Sequence, residues 1–118
     1  MAIEVSIGKR LFLMNDRMIE PVARRFRALS EPQRLRILQV LESGSKTVSE
    51  VVEAIGISQP TISRHLQALF DAGLVSRRRS GTSTVYFISD PLVFRLCDLV
   101  CRSVAAQARA ELREMAST

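Results

Sequence analysis

The sequence contains no tryptophan, one tyrosine, one histidine and two cysteines. Each scarcity excludes something. A lone histidine, with no glycine-rich phosphate loop and no carboxylate pair set beside a nucleophile, argues against an enzyme. Two cysteines cannot build a disulfide framework, and in a reducing compartment Cys97 and Cys101 are thiols. No apolar run approaches the roughly 20 residues that cross a bilayer, so no membrane partner is expected. The stretch Met1–Met14 lacks a basic head followed by an apolar run and a small-residue cleavage site, and the reading is of a cytoplasmic protein. Acidic residues are scarce in one place. Residues 58–87 hold Arg64, Arg77, Arg78 and Arg79 against Asp71 alone.

What remains is ordinary for a soluble domain: 118 residues, 47% hydrophobic and 25% charged. One domain of this length buries a core with a thin margin, which a dimer partner would widen. The formal net charge is +5. Residues 1–57 contribute nine basic and seven acidic side chains, residues 58–87 four and one, and residues 88–118 four of each. The excess is densest where a polyanion would gain most from it, since each neutralised phosphate releases counterions.

The periodicity predicts helices in the first two thirds of the chain. Residues 1–15 have no clean period and read as an arm, followed by one domain over 16–118. Ile19, Val22, Phe26 and Leu29 recur at helical spacing, with Pro21 best placed in a first turn. Ser30 and Gln33 match a capping box, with Pro32 behind the cap. Leu35, Ile37, Leu38 and Leu41 then supply core residues, and Gly44 ends the helix. Thr47 and Glu50 form a second capping box, opening a short helix with Val48, Val51, Val52 and Ile55 on its buried side. Gly56 stops that helix. Ser58 caps the next, with Pro60 near its start and Ile62, Leu66, Leu69 and Phe70 inward. Two helices joined so tightly cross steeply, as in a helix-turn-helix.

After Gly73 the period becomes alternating. Leu74–Arg79 and Thr84–Ile88 read as strands of a hairpin turning at residues 80–83. Asp90 and Pro91 start a last helix running to about Met115, roughly 37 Å at 1.5 Å per residue. Its stripe of Val93, Leu96, Val100, Val104, Ala108, Leu112 and Met115 outruns so small a core, and the simplest cover is a second subunit. The expected fold is mostly α with a small β-hairpin: a winged helix-turn-helix.

The helix from Ser58 has a polar side made of Ser58, Gln59, Thr61, Ser63, Arg64 and Gln67, with no acid before Phe70. Gln pairs with adenine and Arg with guanine, while Ser and Thr hold phosphates or bases. His65 either touches phosphate or packs beside the helix. Arg77, Arg78, Arg79 and Thr82 make the hairpin a wing for the DNA backbone or minor groove, with Arg77 and Arg79 on one face and Arg78 on the other. Tyr86 reads as hairpin packing. The partner expected is double-stranded operator DNA. A protein-interaction module using the same fold without DNA is the alternative.

The runs Ala28-Leu29-Ser30-Glu31-Pro32-Gln33-Arg34-Leu35-Arg36-Ile37-Leu38, Ser58-Gln59-Pro60-Thr61-Ile62-Ser63-Arg64-His65-Leu66 and Ala72-Gly73-Leu74-Val75 resemble the ArsR/SmtB family of bacterial metalloregulatory repressors. The resemblance covers about half of the chain. It implies a fold homodimeric through the first and last helices, which leaves its promoter when an inducer alters the dimer. Many members sense through cysteines in the helix before the recognition helix, and Thr47–Ile55 has none. Another common family site, carboxylates and histidines on the last helix, also fails. That helix has no histidine, and its acids are Asp90, Asp98, Glu111 and Glu114.

Related repressors place sensing cysteines on the last helix, which singles out Cys97 and Cys101. They are neighbours at i and i+4, and soft ions select sulfur. As(III) or Sb(III) on two thiolates, with or without a third donor, is one reading, with Zn(II) or Cd(II) held by four thiols of a dimer less favoured. Thiol redox or sulfide sensing is a second, although a disulfide within an intact helix is strained. Two small apolar side chains in a dimer seam are the third.

Overall fold

The computed structural model describes residues 15–117. The expected arm therefore lies outside the described residues, apart from Asn15. Five helices are described: α1 (Asp16–Leu29), α2 (Pro32–Glu42), α3 (Val48–Ile55), α4 (Gln59–Asp71) and α5 (Leu92–Ser117). Strands β1 (Lys46–Thr47), β2 (Val75–Ser80) and β3 (Ser83–Ile88) form one antiparallel sheet in the order β1-β3-β2.

The caps explain most boundaries. Asn15 accepts from the Met18 N–H, so α1 starts earlier than its apolar period and Pro21 lies inside it rather than in its first turn. At Thr47 the expected capping box forms in full: Glu50 N–H donates to Thr47 Oγ1 at 3.1 Å, and Thr47 N–H to Glu50 Oε1 at 2.8 Å. Gly56 then closes α3 at φ +84°, a left-handed position where glycine avoids the Cβ penalty.

The other proposed capping box does not form. Ser30 Oγ donates back to the Arg27 carbonyl, Glu31 takes the N-cap position of α2 without a side-chain bond, and Gln33 Oε1 is buried without a partner. The link between α1 and α2 is so short that Ser30 closes the preceding helix instead of opening the next. Ser58 does occupy the N-cap position of α4, but its hydroxyl bonds Thr61 Oγ1 rather than a backbone N–H.

The core lies where α2, α3 and α4 meet the sheet. Ile37, Leu38, Leu41, Val51, Ile62, Leu66, Leu69, Leu74 and Val75 are sealed from solvent, and Tyr86 is buried beside them. Leu35 was expected among them and instead is 40% exposed. One turn before Leu38, it lines a cavity shared with residues of α5. The hairpin pairs Arg77 with Tyr86 and Ser80 with Ser83, leaving Gly81 and Thr82 as a two-residue turn, tighter than the four-residue turn expected. β1 was not foreseen. Two residues carry no period, yet Lys46 and Thr47 pair with Tyr86 and Val85 and anchor the wing to the start of α3.

α5 begins two residues after Asp90, whose carboxylate accepts from the Leu92 N–H and from Arg25 of α1 at 2.6 Å. Of its 26 residues only Val93 is buried. Leu99, Val100, Val104, Leu112 and Met115 are all more than half exposed, as is Phe26 of α1.

Truncating a sealed α4 residue tests this packing. Leu66→Ala should cost about 2–5 kcal/mol from lost burial and the cavity left behind. The check is the shift of the denaturant midpoint at fixed protein concentration.

Candidate nucleic-acid interface and cysteine pair

Burying Ile62, Leu66 and Leu69 turns the other side of α4 outward. Gln59, Arg64 and Gln67 are exposed along it, with Thr61 and Ser63 half-buried and Ser58 exposed at its start. Arg64 forms no ion pair or hydrogen bond with a described residue, so its guanidinium is available to a ligand. Gln67 is engaged at both ends. Its amide donates to Asp71 Oδ1 at 2.9 Å, and its carbonyl accepts from Arg77 Nη1 at 3.0 Å. Reading a base with Gln67 would require exchanging these bonds.

The wing is held against the helix. Arg77 stacks on Phe70 at 4.0 Å and also reaches Tyr86 Oη at 3.4 Å. A guanidinium over an aromatic face keeps its charge while covering apolar surface. Arg78 points to the other side, over Phe87 at 5.0 Å and toward Ser45 Oγ. Arg79 donates to Thr84 Oγ1 at 3.4 Å, and Thr82 is exposed at the tip. The strand alternation expected for the three arginines therefore holds, and Tyr86 is packing.

His65 is half-buried and faces α2, where its Nδ1 accepts from Arg34 Nε at 3.2 Å. Arg34 also reaches the carbonyls of Arg27 and Ala28. Sequence reasoning missed this tie because the partners lie 31 residues apart on different helices. Burial first, and the nearby Arg34 charge second, hold the imidazole below its ordinary pKa.

Cys97 and Cys101 are both free. Cys97 is half-buried against the core, and desolvation pushes its thiol pKa up. Cys101 is exposed. Both stand on the wall of a cavity of about 460 Å³ between α1, α2 and α5. Among the described residues no three His, Cys, Asp or Glu side chains converge as a metal site. The adjacent Asp98 is paired with Arg102 at 3.0 Å. Among the described residues, the two sulfurs are thus joined by no third His, Cys, Asp or Glu ligand.

The profile of the arsR family of bacterial regulatory proteins matches residues 31–77, from the start of α2 through the recognition helix into the wing. A Streptomyces lividans protein described as a probable mercury resistance operon repressor is 46% identical over 95 residues, covering 79% of this chain and 74% of that one. The chain belongs to the ArsR family. It is a DNA-binding transcription regulator and not an enzyme. An arsenical resistance operon repressor of Staphylococcus xylosus is 38% identical over 51% of this chain and 58% of its own length. The solution structure of a homodimeric winged helix-turn-helix DNA-binding domain from Mycobacterium bovis superposes with a TM-score of 0.69 at 39% identity, covering 83% of this chain and 92% of that one. The fold of the regulator is therefore the winged helix-turn-helix.

The Arg34–His65 contact makes a signed prediction. With its pKa lowered, neutral His65 adds stability that is complete above the ordinary histidine pKa and is lost as pH falls toward the lowered value. An NMR titration of the sole histidine should give a pKa below the ordinary value. Arg34→Met should raise it only part of the way, because burial is the larger cause.

Proposed function

We propose that this regulator is a homodimeric repressor that holds operator DNA with α4 and the wing, and lets go when a thiophilic inducer binds Cys97 and Cys101. The observation that carries the reading is the pairing of two faces on one chain. An acid-free polar side of α4 continues into three arginines, and an apolar flank of α1 and α5 carries both thiols.

In this reading the N-terminal half of α4 enters the major groove. Arg64 reads a base edge, with Gln59 and Gln67 beside it. Ser58, Thr61 and Ser63 hold phosphate near the helix N-terminus, where free N–H groups attract anions. Arg77 positions the wing through Phe70, while Arg78, Arg79 and Thr82 meet backbone or minor groove. His65 is assigned a supporting place, behind the helix, through Arg34. A second copy covers Phe26, Leu99, Val100 and Val104, an apolar face too extensive to leave in water.

As(III) or Sb(III) is the preferred inducer class. Trivalent pnictogens and Hg(II) share a preference for thiolate, and relatives named for arsenical and mercury resistance support a soft ion. Zn(II) or Cd(II) would require tetrahedral sulfur from both subunits, and they are less favoured. Thiol redox or sulfide sensing at the same pair remains the second reading, supported by the exposure of Cys101. Release follows from differential binding: the inducer favours a dimer geometry that fits DNA poorly.

Arg64→Ala should weaken specific operator binding by about 1–3 kcal/mol and relax one base position. A mobility-shift titration at fixed salt measures it, and unchanged affinity removes Arg64 from the reading set. Cys97→Ser with Cys101→Ser should bind operator normally. It should also lose the ~5- to 150-fold fall in affinity expected when inducer is added to the native protein. Release that persists in this variant places the inducer elsewhere.

A further inference from the structure

The sole histidine follows Arg64 on α4, and its tie to α2 is directional. Arg34 Nε donates to His65 Nδ1 at 3.2 Å. A guanidinium only donates and keeps its charge throughout the pH range of a folded protein. The bond therefore fixes the ring as the neutral tautomer with its proton on Nε2, and a proton on Nδ1 breaks it. Nη1 of the same guanidinium lies 3.4 Å from the carbonyls of both Arg27 and Ala28, in the last turn of α1. Carbonyls there have no partner within their own helix and favour a cation. One side chain of α2 thus holds the end of α1 and the middle of α4. The sealed residues of α4 act differently. Ile62, Leu66 and Leu69 decide which side of α4 faces the core, but apolar burial has no direction of its own. A hydrogen bond prefers a straight donor and weakens steeply when bent, so the Arg34–His65 bond opposes a small slide of α4 more sharply. Arg64 is the adjacent residue, and a bidentate contact with guanine needs its fork in place.

We propose that Arg34 is a positioning residue for operator recognition: by bonding His65 and the end of α1 together, it sets where Arg64 stands relative to α1, a helix of the proposed dimer face, and it does so only while His65 is neutral. The proposal rests on the reading of α4 as the operator-reading helix and names a residue outside α4 on which its selectivity depends. The consequence is a pH-dependent choice of sequence. The charges acting on the ring are Arg34 and Glu31 at the start of α2 and Arg64 on α4 itself. The two arginines disfavour its proton and Glu31 favours it, while burial disfavours it most. On the other elements, Arg27 of α1 is turned to Glu20, Glu50 of α3 to Thr47 and Arg77 of β2 to Gln67. The tie is therefore complete above the ordinary histidine pKa and is lost as pH falls through the lowered value. A protonated ring also adds a positive charge, which strengthens binding to DNA of any sequence. The two effects act on different quantities. Loss of the tie lowers the preference for the operator, and the added charge raises affinity for every duplex.

The test uses the full-length protein and two fluorescent duplexes: one selected by the native protein from a random pool under mildly alkaline conditions, and a shuffled duplex of the same composition. Fluorescence anisotropy at constant ionic strength gives the ratio of their dissociation constants between about pH 8 and about pH 5, the window in which a histidine charges. For the native protein this selectivity should fall at least about tenfold toward the acid end, the worth of a hydrogen bond to a charged group. Arg34→Met should show the lowered selectivity already at the alkaline end, with a flat profile below it. His65→Asn should keep the native selectivity across the whole range, because its Oδ1 takes the place of Nδ1, accepts from Arg34 and does not titrate. Should Arg34→Met not fold by circular dichroism, the native protein beside His65→Asn makes the same test. A flat native profile, native selectivity in Arg34→Met, or an acid fall that persists in His65→Asn overturns the positioning role. Where Arg64→Ala at the same time loses selectivity, the reading of α4 stands without Arg34. A native protein that prefers neither duplex overturns the operator reading of α4 and the positioning role with it.

Discussion

The structure depends on one burial: Ile62, Leu66 and Leu69 of α4 packed into the centre formed by α2, α3 and the sheet. Each of these residues is fully shielded from solvent. Together they fix the rotation of α4 about its axis, and a helix rotated by one position would present leucine to water and arginine to the core. The polar side is a consequence of this constraint. Once the apolar side is committed inward, Gln59, Arg64 and Gln67 have only the outward direction available.

The wing inherits its position from the same helix. Phe70, at the end of α4, is partly buried on the core and lies beneath the guanidinium of Arg77, whose other contacts are Gln67 and Tyr86. Register then places Arg78 on the opposite face and Arg79 back beside Arg77. β1 holds the far edge of this hairpin to the entrance of α3. Helix and wing are therefore tied to each other through Arg77 and to the entrance of α3 through β1. The weakly covered parts are α1 and α5, joined at Arg25 and Asp90. They carry the exposed apolar face and both thiols, so the proposed inducer acts where the single chain is least packed.

Much of this was legible in the sequence because the signals were local. The capping box at Thr47, the glycine at 56, the inward spacing of α4 and the strand alternation each need only a few neighbouring residues. The failures share a cause. Ser30 and Gln33 carried a capping signature, but the preceding helix used Ser30 first. Leu35 matched a helical period, but which side of that stripe was sealed depended on where α5 lay. β1 was too short to carry a pattern. The Arg34–His65 contact and the cavity beside Cys97 join helices remote in sequence, and no local spacing encodes either. For the site residues, spacing identified the candidates, and only the packing distinguished Arg64, which bonds no described residue, from Gln67, which is already bonded to Asp71 and Arg77.

The central claim is that the buried side of α4 aims its polar side at a major groove, and that dimer symmetry does so twice. A hydroxyl-radical and methylation-interference footprint on operator DNA tests it most directly. The account predicts two protected patches related by a two-fold axis, their major-groove centres separated by about 34–36 Å or a multiple of it, with guanine interference in each that disappears in Arg64→Ala. A single unpaired patch, or guanine interference indifferent to the loss of Arg64, would contradict it.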